Sequence, residues 1–282
     1  MAIKLVIDSA SDINAKEAEK LGIHMLSMGI TIDGEEYMDG DNLLPEQFYD
    51  KLATCNATPK TSQINAFRWE EEFEKHINNG DEVIAITISS KLSGTYNSAC
   101  NAAERFEGKV RVIDSLNACT GERLLGMLAI RLINENKTLD QIEKTLNEEK
   151  KNIKVLAVID TLEYLKKGGR ISGATAFVGK MLSIKPVIAV IDGEVKVIGK
   201  AMGSKNGYNL LTKLVADNGG IDTNMPYGAI WSGKDKTNLD KYLNDNIVQI
   251  GINADIPRYI LGGTIGTHIG NGAVGISFFT KQ

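Results

Sequence analysis

The chain has 282 residues, of which 43% are hydrophobic, and its 32 Lys and Arg against 36 Asp and Glu give a formal net charge of -4. This is globular composition, with enough chain for a well-buried core and for two domains of ordinary size. The acidic balance argues against nucleic acid as the main partner, because binding phosphates requires a basic surface.

The first apolar run, 3–7, ends at Asp8 and is too short for a signal peptide, so a cytoplasmic protein is expected. Similar runs at 83–88, 110–113 and 155–159 also close on Asp or Ser and read as buried parallel strands of an α/β protein. Between the first strands, 14–21, 66–78 and 95–105 have helical periodicity. So does 120–134, where Leu124, Leu125, Leu128, Leu132 and Ile133 form a wide apolar face that should lie on a sheet. A charged helix over 140–151 closes the first half.

The pattern then changes. The stretch 187–191, the pair Asp192-Gly193 and the stretch 195–198 read as a hairpin with a two-residue turn. Helices at about 204–217 and 235–245, with strands around 227–231, 247–252, 258–262 and 273–279, complete a second α/β layer. The expected boundary is near 152, giving domains of 1–152 and 153–282. The longest apolar runs of the second half are strand-sized and cannot span a bilayer. Cys55, Cys100 and Cys119 are odd in number and far apart, which predicts reduced thiols, no disulfide framework and no cysteine metal site.

Ser89-Ser90-Lys91-Leu92-Ser93-Gly94-Thr95-Tyr96-Asn97-Ser98 reads as a hydroxyl-rich turn between a strand and a helix start. The first amides of a helix lack intrahelical partners and carry partial positive charge, so neutral donors at Ser93 and Gly94 can hold an anion. An ordinary N-cap serine explains the same residues equally well. Asp8-Ser9 and Asp114-Ser115 also follow strands, where open α/β sheets place ligands, although each alone reads as a loop cap. Thr58-Pro59-Lys60-Thr61-Ser62-Gln63 is a hydroxyl-rich loop before the helix near Ala66.

Lys166-Lys167-Gly168-Gly169-Arg170 sets three cations around a double glycine. They are either dipole-complementing surface residues or a sharp turn that aims Arg170 at an anion. Gly266-Thr267-His268-Ile269-Gly270 places a histidine in a tight segment between two strands, with structural and ligand roles both open. Two nucleotide motifs fail on context. Gly270-Asn271-Gly272-Ala273-Val274-Gly275 leads into a strand with no room for a βαβ unit, and 173–180 has five residues between its glycines, with Met181 where a P-loop requires Ser or Thr. No nucleotide, cofactor or metal is therefore expected.

Taken together, these segments resemble the DegV family, the fatty-acid-binding subunits of bacterial fatty acid kinase. The matching blocks are Ile7-Asp8-Ser9-Ala10-Ser11-Asp12-Ile13, Thr61-Ser62-Gln63, 89–99, Asp114-Ser115, Tyr164-Leu165-Lys166-Lys167-Gly168-Gly169-Arg170-Ile171, Ile184-Lys185-Pro186 and Gly266-Thr267-His268-Ile269-Gly270. The resemblance implies an N-terminal α/β domain with a mostly parallel sheet, a C-terminal α/β domain with a mixed sheet, and a long-chain fatty acid buried between them. It implies that Thr61, Ser62, Ser93, Gly94 and His268 surround the carboxylate, and that Arg170 at the same mouth serves the acyl phosphate or the partner kinase. A separate catalytic subunit would bind ATP, so this chain would be no enzyme itself. It would supply phospholipid metabolism and allow peripheral membrane contact.

The sequence departs from the family pattern where Cys119-Thr120-Gly121-Glu122-Arg123 replaces Ser-x-Gly-x-Gly and where Gly270-Asn271-Gly272 replaces Gly-Pro-Gly. A family basic cluster near 200–205 survives as Lys200 and Lys205. Two other readings compete with the acyl carrier. One is a lipid or ester hydrolase with Ser93 as nucleophile and His268 as base, although the sequence offers no G-x-S-x-G elbow and no carboxylate for the histidine. The other is a binder of a non-lipid small anion. With aromatics at only 6%, an aliphatic tunnel is expected rather than a stacking site.

Overall fold

The structure is a computed structural model that describes residues 2–171, 183–253 and 255–281. The P-loop-like stretch 173–180 lies outside the described residues.

The first sheet has the order β2-β1-β6-β7, from β1 (Ile3–Asp8), β2 (His24–Leu26), β6 (Glu82–Thr87) and β7 (Val110–Asp114), all parallel. Apart from Lys4 and Arg111, the inner residues of β1, β6 and β7 are apolar because both faces of the sheet are covered. Val6, Val83 and Ala85 meet Trp69 and Phe73 of α3 (Ala66–Asn78) and Ala99 and Ala102 of α4 (Thr95–Ala103). Leu5, Ile7, Ile84 and Ile86 meet Leu124, Leu125 and Leu128 of α5 (Thr120–Asn134) and Ile142 and Leu146 of α6 (Leu139–Glu149).

The second sheet is mixed, in the order β10-β9-β8-β13-β11-β12, from β8 (Ile153–Val158), β9 (Ile184–Ile191), β10 (Glu194–Met202), β11 (Tyr227–Trp231), β12 (Arg258–Ile260) and β13 (Val274–Phe279). Among these six strands only β11 and β12 pair in parallel. The β9–β10 hairpin turns through Asp192 and Gly193, both at positive φ as a two-residue primed turn requires. Leu156, Val158, Ile276 and Phe278 face α8 (Gly203–Asp217) and α9 (Thr237–Ile250). Val155, Ala157, Ile188 and Phe279 face the other way, into the same cluster as α5. That helix packs on β1 and β6 of one sheet and on β8 and β13 of the other, so it is buried from Thr120 to Gly126 rather than along a single stripe.

A third, antiparallel sheet, β4-β3-β5, is built from β3 (Gly29–Ile32), β4 (Glu35–Met38) and β5 (Lys60–Ser62). It is covered by α2 (Pro45–Thr54) and by α10 (Gly263–Ile269), which comes from the far end of the chain. The first helix, α1 (Ala15–Leu21), and the short α7 (Glu163–Lys167) complete the element order.

Four local expectations are corrected. The run 155–159 forms β8, which pairs antiparallel with β9 and β13, because an apolar run records burial on two faces and not strand direction. The expected strand at 247–252 is the last turn of α9. Tyr242, Leu243, Asn246 and Ile250 are buried at helical spacing, Val248 is 87% exposed, and Gly251 in the left-handed region closes the helix. The loop before Ala66 contains β5, and Asn65 rather than a hydroxyl caps α3 by accepting from the Arg68 N–H. The segment around His268 is a helix, α10.

Candidate functional site

A cavity of about 240 Å³ lies between the two large sheets and under α10. Its apolar walls include Val155 and Ala157 of β8, Ile188 and Val190 of β9, Ile230 of β11, and Leu165, Leu261 and Ile265. The polar end has Thr61, Gln63, Ser93, Gly94, Arg170, Thr264 and His268. A second, polar cavity of about 340 Å³ shares Thr61, Arg170 and His268 with the first and adds Lys60, Lys167 and Thr267. Among the described residues, neither cavity is lined by a carboxylate or by Phe, Tyr or Trp.

The 89–94 turn is clipped by its neighbours. Asp8 Oδ2 accepts from the Ile88 N–H at 2.8 Å and Asp114 Oδ1 accepts from the Ser90 N–H at 3.2 Å. Ser89 Oγ donates to the Gly193 carbonyl at 2.8 Å, fastening the β9–β10 turn to the same loop. Asp8, Ser89 and Asp114 thus cap and tie loops, while Ile88 and Leu92–Gly94 form the wall. The N-cap of α4 is Gly94, one residue later than a serine cap would be. Ser93 Oγ accepts from the Thr95 N–H at 3.2 Å and shares a hydrogen bond with Thr95 Oγ1 at 2.9 Å. The Gly94 N–H has no backbone acceptor among the described residues. A Cβ on Gly94 would overlap Gln63 Oε1, so only glycine lets the Gln63 amide close over the helix start. That amide is held by its Nε2–H bond to Ser98 Oγ at 3.0 Å.

Thr61 and His268 meet from opposite ends of the chain, with Thr61 Oγ1 2.9 Å from His268 Nε2. The position of α10 follows from three anchors on the N-terminal half. Asp39 accepts from the Gly263 and Thr264 amides at 2.9 and 3.1 Å, Asp12 accepts from the Gly262 amide at 2.7 Å, and Tyr49 donates to the Leu261 carbonyl at 3.0 Å. Carboxylates on the first amides of a helix satisfy donors that have no intrahelical partner. Gly168 backs the imidazole, since a Cβ there would overlap His268 Nδ1. Burial, and then the nearby Arg170 charge, push His268 down to about 4, so its ring is neutral at pH 7. Among the described residues its buried Nδ1 has no partner, and no carboxylate orients it. Arg170, itself exposed, bridges the walls by donating to the Leu92 carbonyl at 3.1 Å and the Gly168 carbonyl at 2.6 Å.

The structure therefore brings together five of the six residues selected from sequence: Thr61, Ser93, Gly94, Arg170 and His268. Ser62 lies on neither wall, because side chains alternate along β5 and its hydroxyl faces Gly29 instead. Gln63, the residue after β5, lines the wall together with Thr61 and was not among the residues expected from sequence. Cys119 also reaches the wall, where burial pushes its thiol well up and keeps it protonated. Arg123, at a position where the family pattern has glycine, stays off the wall: it donates to the Asp12 carbonyl at 3.0 Å, pairs with Glu17 and stacks over Tyr259.

Fold and site together define an α/β protein with an aliphatic cavity that ends in neutral donors and cations. The chain belongs to the DegV family, whose description is of uncharacterised proteins and which it matches over residues 2–281. It is 34% identical over 283 residues to a DegV domain-containing protein of Caldanaerobacter subterraneus subsp. tengcongensis, covering 99% of each chain. A DegV family protein of Thermus thermophilus described for its fatty acid binding superposes with a TM-score of 0.88, at 29% identity over 100% of both chains. A Eubacterium eligens DegV family protein loaded with heptadecanoic acid gives 0.85 at 25% identity, over 99% of this chain and 100% of that one. Among the described residues no helix is long and apolar enough to cross a membrane.

Proposed function

We propose that this protein holds one long-chain fatty acid, its tail in the aliphatic cavity and its carboxylate at Thr61, Ser93, Gly94 and His268, and presents it to a separate kinase subunit. The observation that carries this reading is an apolar cavity ending in neutral hydrogen-bond donors and the Arg170 cation, with no carboxylate on its walls among the described residues. Burying a chain of ~16 carbons at ~0.8 kcal/mol per CH₂ supplies on the order of 12 kcal/mol of gross driving force before ordering costs. The head group fixes register. A buried carboxylate is costly unless hydrogen-bonded, and the hydroxyls of Thr61 and Ser93 and the Gly94 amide are donors within one small region.

On this reading Ser93 exchanges its bond to Thr95 for one to the ligand, and His268 Nε2 and Thr61 turn from each other toward the carboxylate. In the coupled reaction a carboxylate oxygen attacks the γ-phosphorus of ATP bound to the partner. The bond to the β-phosphate breaks, leaving an acyl phosphate here and ADP on the kinase. Lys60, Lys167 and Arg170 around the outer cavity suit that added charge. The acyl phosphate would then feed phospholipid metabolism in the cytoplasm. Likeness to proteins described with bound fatty acids supports the ligand class. The hydrolase alternative gains no support, because Ser93 bonds Thr95 and, among the described residues, no carboxylate orients His268.

Equilibrium binding of radiolabelled palmitate tests the assignment. One mole per mole of chain, weakened in Ser93→Ala, is expected; saturable binding unaffected by Ser93→Ala and Thr61→Val together would place the ligand elsewhere. Turnover of chromogenic acyl esters that Ser93→Ala abolishes would instead favour the hydrolase.

A further inference from the structure

Two of the three histidines lie away from the cavity, and they converge on one carboxylate. Glu72 and His76 sit one turn apart on α3, and His24 opens β2, the edge strand of the first sheet. Glu72 Oε1 lies 3.1 Å from His76 Nε2 and 3.3 Å from His24 Nδ1, and the three atoms are all within 4.8 Å of one another. The two imidazoles meet edge to face with ring centres 4.2 Å apart. Glu72 and His76 are buried, and the His24 side chain is 43% exposed. None of the three lines either cavity of the lipid site.

We propose that His24, Glu72 and His76 form a binding site for one borderline divalent cation of the Zn²⁺ or Co²⁺ class. Ligand bonds of 2.0–2.2 Å in a tetrahedron put ligand atoms about 3.3 Å apart, and both spacings to Glu72 Oε1 are close to that value. Two imidazoles and a carboxylate are a donor set that suits such ions and not Mg²⁺, which takes oxygen ligands. The metal takes the place of the hydrogens between the ring nitrogens and Oε1, each neutral ring then carrying its proton on its other nitrogen, Nε2 of His24 and Nδ1 of His76, and solvent reaching the site past His24 supplies the fourth ligand. Lys75 already occupies the other oxygen, with Nζ 3.0 Å from Oε2, which leaves Oε1 for the ion and fixes the carboxylate from outside. The hydrogen bonds and ring contact preorganise the three donors before metal arrives. Binding would pin the edge strand β2 to α3, a link between distant segments that should raise thermal stability.

The test uses the full-length protein, stripped with chelator and titrated with ZnCl₂, CoCl₂ and MgCl₂ by calorimetry, with visible absorption followed for Co²⁺. The expected result is one Zn²⁺ or Co²⁺ per chain, intense four-coordinate Co²⁺ bands, a rise in Tm and no heat from Mg²⁺. His24→Ala, at a half-exposed position that leaves the core packing intact, should weaken binding roughly tenfold or more, since even indirect ligand supports cost 10–100-fold. Glu72→Gln should abolish the Co²⁺ bands. No stoichiometric binding by the wild type, or equal affinity in His24→Ala, overturns the proposal. Should His24→Ala melt before titration, His24→Gln keeps the side-chain bulk without the ring nitrogen and gives the same discrimination.

Discussion

Thr61 Oγ1 and His268 Nε2 stand 2.9 Å apart although 207 positions separate the residues in the chain. This contact joins β5 to α10 at the polar end of the cavity, so the proposed head-group site exists only when the two halves of the chain are assembled. Thr61→Val and His268→Gln should each weaken fatty acid binding by roughly ten- to a hundredfold, the worth of one hydrogen bond to a charged group. Competition with a fluorescent fatty acid measures this, and unchanged affinity in both variants would remove these residues from the head-group site.

Gly168 gives a sharper geometric test. Its φ of -76° suits any residue, so alanine adds no backbone strain, yet the new Cβ would displace the His268 ring. Gly168→Ala should lower fatty acid affinity by roughly the factor seen on losing the imidazole's hydrogen bond. At Gly169, with φ +67° and open space around a Cβ, alanine should cost about 1 kcal/mol of stability and leave affinity alone. Thermal melts and binding assays on the two variants separate these outcomes.

His268 also predicts a pH dependence. The unfolded ring takes a proton as pH falls through 6.5, whereas the folded ring resists until about 4. Over that window the unfolded state binds more protons, so stability rises with pH. The contribution of the neutral buried ring is complete above pH 6.5 and is lost as pH falls to 4, with an upper bound of roughly 3 kcal/mol. Urea unfolding between pH 4 and 7 should show a steeper slope for wild type than for His268→Gln. A fatty carboxylate beside the ring favours its charged form, so ligand binding near pH 5 should take up protons, measurable as a buffer-dependent heat.

Arg170 separates holding the ligand from passing it on. Its guanidinium bridges Leu92 and Gly168 at the border of the two cavities, next to Lys60 and Lys167. Arg170→Ala should reduce acyl phosphate formation with the kinase subunit and ATP by tenfold or more, with a smaller effect on fatty acid affinity. Trapping the product as a hydroxamate gives the rate. Equal rates for wild type and variant would remove this role.

Much of the architecture was readable because burial imposes pattern: the short, mostly apolar runs at 3–7, 83–88 and 110–113 read as covered strands, and Asp192-Gly193 marked its hairpin. Direction was not readable, since β8 looks the same whether parallel or antiparallel. Nor was the last turn of α9, where Ile247, Val248 and Ile250 imitate a strand although only the outward Val248 is strongly exposed. In the site, Ser93, Gly94 and His268 stood out from turn and glycine context, whereas Ser62 was implied only by the family resemblance. In a strand, alternation puts 61 on one face and 62 on the other. The His24, Glu72 and His76 cluster left no local pattern, because His24 comes from a strand far from α3 in sequence.

The most direct measurement is native mass spectrometry of the purified chain, before and after addition of palmitate and oleate. A 1:1 complex whose added mass matches a long-chain fatty acid, diminished in Thr61→Val, is expected. Protein that carries no lipid and forms no complex with either added fatty acid would contradict the fatty acid assignment.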